Sequence, residues 1–172
     1  MSAHDAPPDL VGQIGDRLRE LLECYGEVIA AAEAAGTHAE AEQRRYGAEG
    51  SDIAALYAAT ATAMGLIATQ LNASKAAVVQ LLTDAPKLRG VNSDEAAVSD
   101  ATKLRGEIQF QFDLRNQAQR TLWDAKTRLA AALERQPAEL SPLDDAFIHL
   151  GNAITAAQDS IGAFVTSVEK GP

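Results

Sequence analysis

The sequence is poor in cysteine, proline and aromatic residues. Cys24 is the only cysteine, so the chain forms no internal disulfide and offers no cysteine-based zinc site. Aromatic residues make up 5% of the chain, and there are six prolines among its 172 residues. Alanine accounts for roughly a fifth of the residues, well above its usual share. Because alanine is the strongest helix former, this composition predicts long helices that pack closely.

The chain also lacks a surplus of positive charge. Its net charge of -9 argues against a nucleic-acid partner, because sequence-independent binding of nucleic acid needs a dominant cationic surface. The same charge disfavours docking on an anionic membrane surface. We therefore expect neither kind of partner.

Residues 1–8 contain no basic region leading into an apolar run, so they do not resemble a secretory signal. We interpret them as a flexible N-terminal arm. Residues 9–170 are expected to form a single helical-bundle domain, which is large enough to bury a substantial core. These features favour a cytoplasmic location, with signal-independent export as the alternative.

The stretch from Ser51 to Thr83 predicts the central helix of the domain. No proline interrupts it, and no charged residue occurs from Ile53 to Ser74. One helical stripe is formed by residues spaced alternately three and four apart: Ile53, Leu56, Thr60, Met64, Ile67, Leu71, Ser74, Val78 and Leu81. Threonines and alanines leave the stretch only mildly apolar, and its flanks lack the anchors typical of membrane spans. We therefore expect a buried helix of a soluble bundle and no membrane span.

The region before the central helix predicts one long helix and a shorter one. Asp9 is the expected N-cap of the first helix, whose apolar seam consists of Val11, Ile14, Leu18, Leu21, Tyr25, Val28 and Ala32. Gly36 is expected to end this helix. Thr37 and Glu40 then form a capping box, which predicts an extra short helix or kink near 37–50. The glycines of the segment Gly47–Gly50 favour a break before the central helix.

Two more helices follow the central one. Asn92 is the expected cap of the third, which runs from about Ser93 to about Gln136 and carries most of the basic residues. Pro137 ends it, and the fourth helix runs from Ser141 towards Gly171 with its own heptad seam. Strand signals are absent. The sequence therefore predicts an all-α fold, an antiparallel four-helix up-down bundle with long heptad-patterned helices.

Residues that could carry chemistry are few. A carboxylate-bridged metal site in a bundle needs Glu-x-x-His pairs, and the three histidines offer none. His38 and Glu40 have the spacing of a deaminase motif without its cysteines, so the capping box explains Glu40 better. Asp145 and His149 lie one helical turn apart and fit a solvated pair. We therefore expect no enzyme, no metal and no cofactor.

Two aromatic residues of the third helix lie off its apolar seam. Phe110 is two positions past Ile108, and Trp123 is one past Leu122. Aromatic residues in such positions either pack against another helix or mark an interface, since large exposed aromatic residues are enriched at binding sites. A second candidate surface is the tip between the second and third helices, where the sequence predicts partly uncovered apolar and basic residues: Leu82, Leu88, Lys87 and Arg89. These six residues are the predicted partner-binding positions.

The leading hypothesis is a non-enzymatic interaction or scaffold module that binds a protein partner, or itself, through helix faces. One alternative is a secretion-associated helical protein, because alanine-rich helical hairpins of this size resemble small secreted helical-hairpin proteins. Trp123-Asp124-Ala125, however, lacks the glycine of their tryptophan turn, and Tyr46 is followed four residues later by Gly50 instead of the acidic residue of their export signal. Another alternative is a helical binder of a small molecule or cofactor.

Overall fold

The computed structural model describes residues 9–171, which form four long helices. They are α1 (Leu10–Ala48), α2 (Ile53–Asp84), α3 (Asp94–Leu133) and α4 (Ser141–Lys170), with 3₁₀ turns at Ala85–Gly90 and Ala138–Leu140. No strand occurs in this part of the chain. The predicted all-α four-helix bundle is confirmed. The predicted arm, residues 1–8, lies outside the described residues.

The helices pack in a ring in which each contacts the next and α4 returns to α1. Short connections between successive helices make the neighbours antiparallel. The predicted seams supply the core, and its largest fully buried side chains are Ile14, Leu18, Leu21, Tyr25, Tyr57, Met64, Ile67, Leu71, Ile108, Leu122, Leu129 and Phe147. The three- and four-residue spacing of the sequence therefore identified the inward side of every helix.

Helix α1 is continuous through Gly36, so the predicted end at this residue is wrong. The Thr37 hydroxyl donates to the Glu33 carbonyl at 3.1 Å, one turn back, and does not cap a new helix. A glycine inside a helix costs about 1 kcal/mol. The helix continues here because α1 packs against α2: a Cβ at this position would lie 3.5 Å from the Met64 Cβ, an ordinary van der Waals distance. Residues 37–48 are thus the last three turns of α1.

The break predicted at Gly47–Gly50 is present. Gly50 has φ +73°, a conformation that favours glycine. The turn closes with hydrogen bonds from the Gly50 amide to the Gly47 carbonyl (3.1 Å) and from the Ser51 amide to the Tyr46 carbonyl (2.9 Å). The chain therefore reverses here, and α1 and α2 form a helical hairpin of similar arm lengths.

Side chains cap two of the helices. The Asp9 carboxylate accepts from the Gly12 amide at 2.9 Å, so the predicted N-cap of α1 is confirmed. For α3 the cap is Ser93, whose hydroxyl accepts from the Ala96 amide at 3.1 Å, one residue later than the predicted Asn92. Both caps satisfy amides that the first turn of a helix leaves without an internal partner.

Candidate functional site

The tip between α2 and α3 is closed by the start of α1. Leu88 is only 8% exposed, so its predicted exposure is wrong, and Leu82 is half-buried against the core. Lys87 pairs with Asp84 at 3.0 Å. Arg89 binds both carboxylate oxygens of Asp9 at 2.7 and 2.9 Å. The two hairpins are of similar length, so the start of α1 reaches the tip between α2 and α3 and covers part of it.

The two candidate aromatic residues are exposed and do not pack against another helix. Trp123 is 65% exposed and Phe110 is 58% exposed. They do not form one surface, however, because thirteen residues separate them, about 20 Å along the helix axis and more than 100° around it. They lie on opposite edges of α3.

Heptad relationships place each aromatic residue on its edge, since residues seven apart share one side of a bundle helix. Gln109 accepts a hydrogen bond from Gln158 of α4 at 2.7 Å, and Trp123 follows Gln109 by two heptads. Trp123 therefore lies on the edge next to α4. Phe110 follows Lys103 by one heptad, and Lys103 lines a crevice with Asp84 at the end of α2. Phe110 therefore lies on the edge next to α2.

Ile148 of α4 shares the edge of Trp123. Lys126 of α3 forms an ion pair with Asp144 of α4. Trp123 lies one helical turn before Lys126, and Ile148 lies one helical turn after Asp144. Because α3 and α4 run in opposite directions, both residues lie on the same side of the ion pair along the bundle. Ile148 is 53% exposed. Sequence reasoning missed Ile148, although its place next to the seam residue Phe147 already set it off the apolar stripe.

We call this region the Trp123 surface. Its apolar part is Trp123 and Ile148, and its polar part is a shallow depression on α3 beside the indole, lined by Asn116, Gln119, Arg120 and Asp124. The surface thus combines two large exposed apolar side chains with amide, guanidinium and carboxylate groups. This combination is typical of protein-binding sites, which place apolar anchors inside a polar rim.

Arg115 holds the two helices together beneath the Trp123 surface. Its guanidinium donates to the Phe147 carbonyl of α4 at 2.7 Å and to Asn116 Oδ1 at 2.9 Å. Burial lowers the pKa of Arg115, and no carboxylate pairs with it within residues 9–171. Gly151 makes room for it, because a Cβ there would lie 2.8 Å from Arg115 Nη2. The guanidinium therefore positions Asn116 and fixes the backbone of α4 next to Ile148.

The residues considered for chemistry lie apart from one another. His149 Nδ1 is 3.0 Å from Glu27 Oε1 of α1, so His149 faces α1 instead of forming the predicted pair with Asp145. His38 Nε2 is 3.9 Å from Glu139 Oε1. Within residues 9–171, no group of three or more His, Cys, Asp or Glu side chains is arranged to hold a metal ion.

Cys24 is half-buried on α1. Burial, together with the charges of Glu27, Glu23 and Glu20, raises the pKa of its thiol. The thiol form is therefore favoured over the reactive thiolate. This agrees with the packing role that a small apolar side chain has at such a position.

A polar cluster closes the other end of the bundle. The Tyr57 hydroxyl donates to Glu139 Oε1 at 3.3 Å, and Tyr46 stacks on Tyr57 with ring centroids 5.5 Å apart. Burial and the nearby Glu139 carboxylate raise the pKa of Tyr57 to about 12. Arg135 also pairs with Glu139 at 3.5 Å. These contacts bind the loop between α3 and α4 to the α1–α2 hairpin.

Comparison of the chain with protein-family models, with curated proteins and with solved structures found no match. The functional interpretation therefore depends on the geometry of the chain itself.

Proposed function

We propose that the chain is a non-enzymatic interaction module that binds a protein partner through the Trp123 surface. The observation that carries this proposal is the exposure of Trp123 and Ile148, two large apolar side chains that are each more than half exposed. The Lys126–Asp144 ion pair places both on the same edge of α3 and α4. Tryptophan is enriched among the residues that dominate binding energy. Both side chains stand on long helices, so the surface is organised before a partner arrives and little ordering entropy is lost on binding.

The composition of the surface defines the partner. The exposed indole and Ile148 require an apolar pocket or ridge on the partner. Asn116, Gln119 and Arg120 offer hydrogen-bond donors next to the indole. A protein surface with an apolar centre and rim carboxylates or carbonyls fits this arrangement best.

Affinity capture from the native host tests the proposal. The baits are the wild-type chain, Trp123→Ser, Ile148→Ser and the matched control Phe110→Ser, which removes an aromatic residue of similar exposure from the opposite edge. A protein retained by the wild type and Phe110→Ser, and lost from both other variants, would support the proposal. Equal capture by all four baits, with helicity unchanged, would refute it.

A further inference from the structure

Three polar side chains lie inside the apolar core of the bundle. Tyr25 of α1, Ser74 of α2 and Gln111 of α3 are each at most 4% exposed. Within residues 9–171, the two hydroxyls and the Gln111 Oε1 atom have no hydrogen-bond partner. Thr60 is equally buried, but its hydroxyl donates to the Leu56 carbonyl of its own helix at 2.9 Å. Tyr25, Ser74 and Gln111 therefore bring polar groups into the core that their own helices do not satisfy.

These three residues lie at one level along the bundle. Ser74 is next to Tyr25, since its hydroxyl counteracts part of the rise in the tyrosine pKa that burial causes. Two crevices between α2 and α3 give the level of Gln111. Residues 56–63 lie beside residues 121–128 in one crevice, and residues 84–88 lie beside residues 100–107 in the other. Ser74 is about midway between the crevices on the α2 side, and residues 111–115 are about midway on α3.

Arg115 extends this level to α4. Its Nε atom is buried and also has no partner in the described part of the chain, and its guanidinium lies against Gly151 of α4. Glu27 of α1 meets His149, two residues before Gly151. Because α1 and α4 run in opposite directions, Tyr25, two residues before Glu27, lies level with Gly151 and Arg115. We call these four residues the polar layer: Tyr25, Ser74, Gln111 and Arg115.

We infer that the polar layer fixes the alignment of the α1–α2 hairpin against the α3–α4 hairpin. Two of its members belong to the first hairpin and two to the second. Buried polar groups cost stability unless they are hydrogen-bonded, so apolar side chains would stabilise these positions more. A polar residue at a core position of a coiled coil selects one register at a cost in stability. This inference concerns the core and does not depend on the Trp123 surface.

The rest of the core specifies the alignment only weakly. Its seams repeat apolar residues at the same spacing on all four helices, so a slide by one heptad again brings apolar residues together. The connection between α2 and α3 permits such a slide of about 10 Å, because its nine residues, 85–93, span about 30 Å when extended. The His149–Glu27 pair between the hairpins is largely exposed and therefore weak.

A slide by one heptad would separate the polar groups from one another. It would place Gln111 opposite Ile67 or Leu81 of α2, which lie seven residues to either side of Ser74. Each polar group would then face apolar side chains. In the observed alignment the polar groups share one level, where rotation of the two hydroxyls lets them exchange hydrogen bonds with the amide. The layer therefore penalises the slid alignments more than the observed one.

Distances between two spin labels test the alignment. In a Cys24→Ser background, labels attached at Ala76→Cys on α2 and Thr127→Cys on α3 occupy exposed positions of different hairpins. Because the two positions are far apart along the bundle axis, a slide of one hairpin changes the distance between the labels by nearly its full length. We expect a single distance for the otherwise wild-type chain.

Removing the polar groups should release the alignment. The variant Tyr25→Phe/Ser74→Ala/Gln111→Leu should stay helical, gain in Tm, and show a second label distance that differs from the first by about 10 Å, the length of one heptad. Thr60→Val is the matched control, because it removes a buried hydroxyl that its own helix already satisfies, and it should keep the single distance. A single distance in the triple variant, a lower Tm, or a second distance in the control would overturn the inference.

Moving the amide along α3 tests the same inference without removing it. Leu104 precedes Gln111 by one heptad and is 6% exposed. The variant Leu104→Gln/Gln111→Leu keeps the composition, and its amide reaches the level of Ser74 only if α3 slides by one heptad. We therefore expect the distance between the labels to lengthen by about 10 Å. A distance equal to that of the wild type would overturn the inference, even if the triple variant fails to fold.

Discussion

The two helical hairpins of the bundle hold together by different means. In the α1–α2 hairpin, glycines of α1 bring the helices close, and the contact at Gly36 is with the apolar Met64. In the α3–α4 hairpin, polar side chains cross between the helices: Arg115 binds the Phe147 carbonyl, Lys126 pairs with Asp144, and Gln158 donates to Gln109. The first interface depends on close apolar contact, whereas the second adds directional polar contacts to its apolar core.

The outer surfaces differ in the same sense. Helix α2 presents an uncharged outward side of small, aliphatic and polar residues, whereas α3 and α4 present an exposed tryptophan within a polar rim. A surface with directional groups suits a different protein, because such groups add specificity. The contrast thus favours the α3–α4 side of the bundle as the surface that binds a partner.

Overpacking the α1–α2 hairpin should have the largest effect. Gly36→Leu inserts a side chain where even a Cβ touches Met64, and we expect a loss of about 1–3 kcal/mol in the free energy of unfolding. Gly36→Ala should instead stabilise the chain by up to about 1 kcal/mol, because the Cβ fits and alanine favours the helix. Urea unfolding measures both. A tolerated leucine would show that this interface is not closely packed.

The α3–α4 hairpin should respond to a smaller substitution. Gly151→Ala displaces the Arg115 guanidinium, so the loss of a charged hydrogen bond should exceed the helix gain and destabilise the chain by about 1 kcal/mol. In an Arg115→Met background the same change should be neutral or stabilising. If alanine has the same effect in both backgrounds, Arg115 is not the cause.

Alkaline pH should weaken the α1–α2 hairpin. Burial raises the pKa of Tyr25, and Ser74 beside it counteracts this shift only in part. Because the pKa of Tyr25 is higher in the folded chain than in the unfolded chain, its neutral hydroxyl contributes fully to the free energy of unfolding below the unfolded pKa of about 10. This stabilisation is lost as the pH rises towards the folded pKa. Tyr25→Phe should reduce the decline of Tm above that pH, with Tyr57 responsible for the remainder. An unchanged decline would exclude Tyr25.

Acid should have the smallest effect, at the closed tip. The Gly12 amide and Arg89 hold the pKa of the exposed Asp9 below its ordinary value. The ionised Asp9 carboxylate therefore stabilises the fold fully above its unfolded pKa, and this stabilisation is lost as the pH falls through its lower folded pKa. Asp9→Asn should therefore lower Tm slightly at neutral pH and show a weaker decline in acid. Identical acid profiles would mean that the Asp9–Arg89 pair adds no stability.

Much of the fold was predictable, because the 3-4 spacing of apolar residues reports which side of a helix is buried. The Asp9 cap and the break at Gly47–Gly50 were predictable from local chemistry. Gly36 was wrongly predicted to end a helix. The helix continues there because it packs against Met64 of α2, a residue distant in sequence. Leu88 and His149 were misplaced because their neighbours belong to other helices. Leu88 lies beside Leu104 of α3, and His149 meets Glu27 of α1.

The candidate site was predictable only in part. Trp123 and Phe110 were identified because they lie off the apolar seam, but their placement on opposite edges depends on which helices flank α3. Ile148 joins Trp123 only once the register of α3 against α4 is known. That register is set by the Lys126–Asp144 and Arg115–Phe147 contacts, which no local pattern encodes.

Fluorescence of Trp123 tests the central claim most directly, because it is the only tryptophan in the chain. The account predicts that acrylamide quenches it readily in the isolated protein. A saturating amount of the captured partner should shift its emission to shorter wavelength and protect it from the quencher. Emission unaffected by the bound partner, or already protected in the isolated chain, would contradict a binding site at the Trp123 surface.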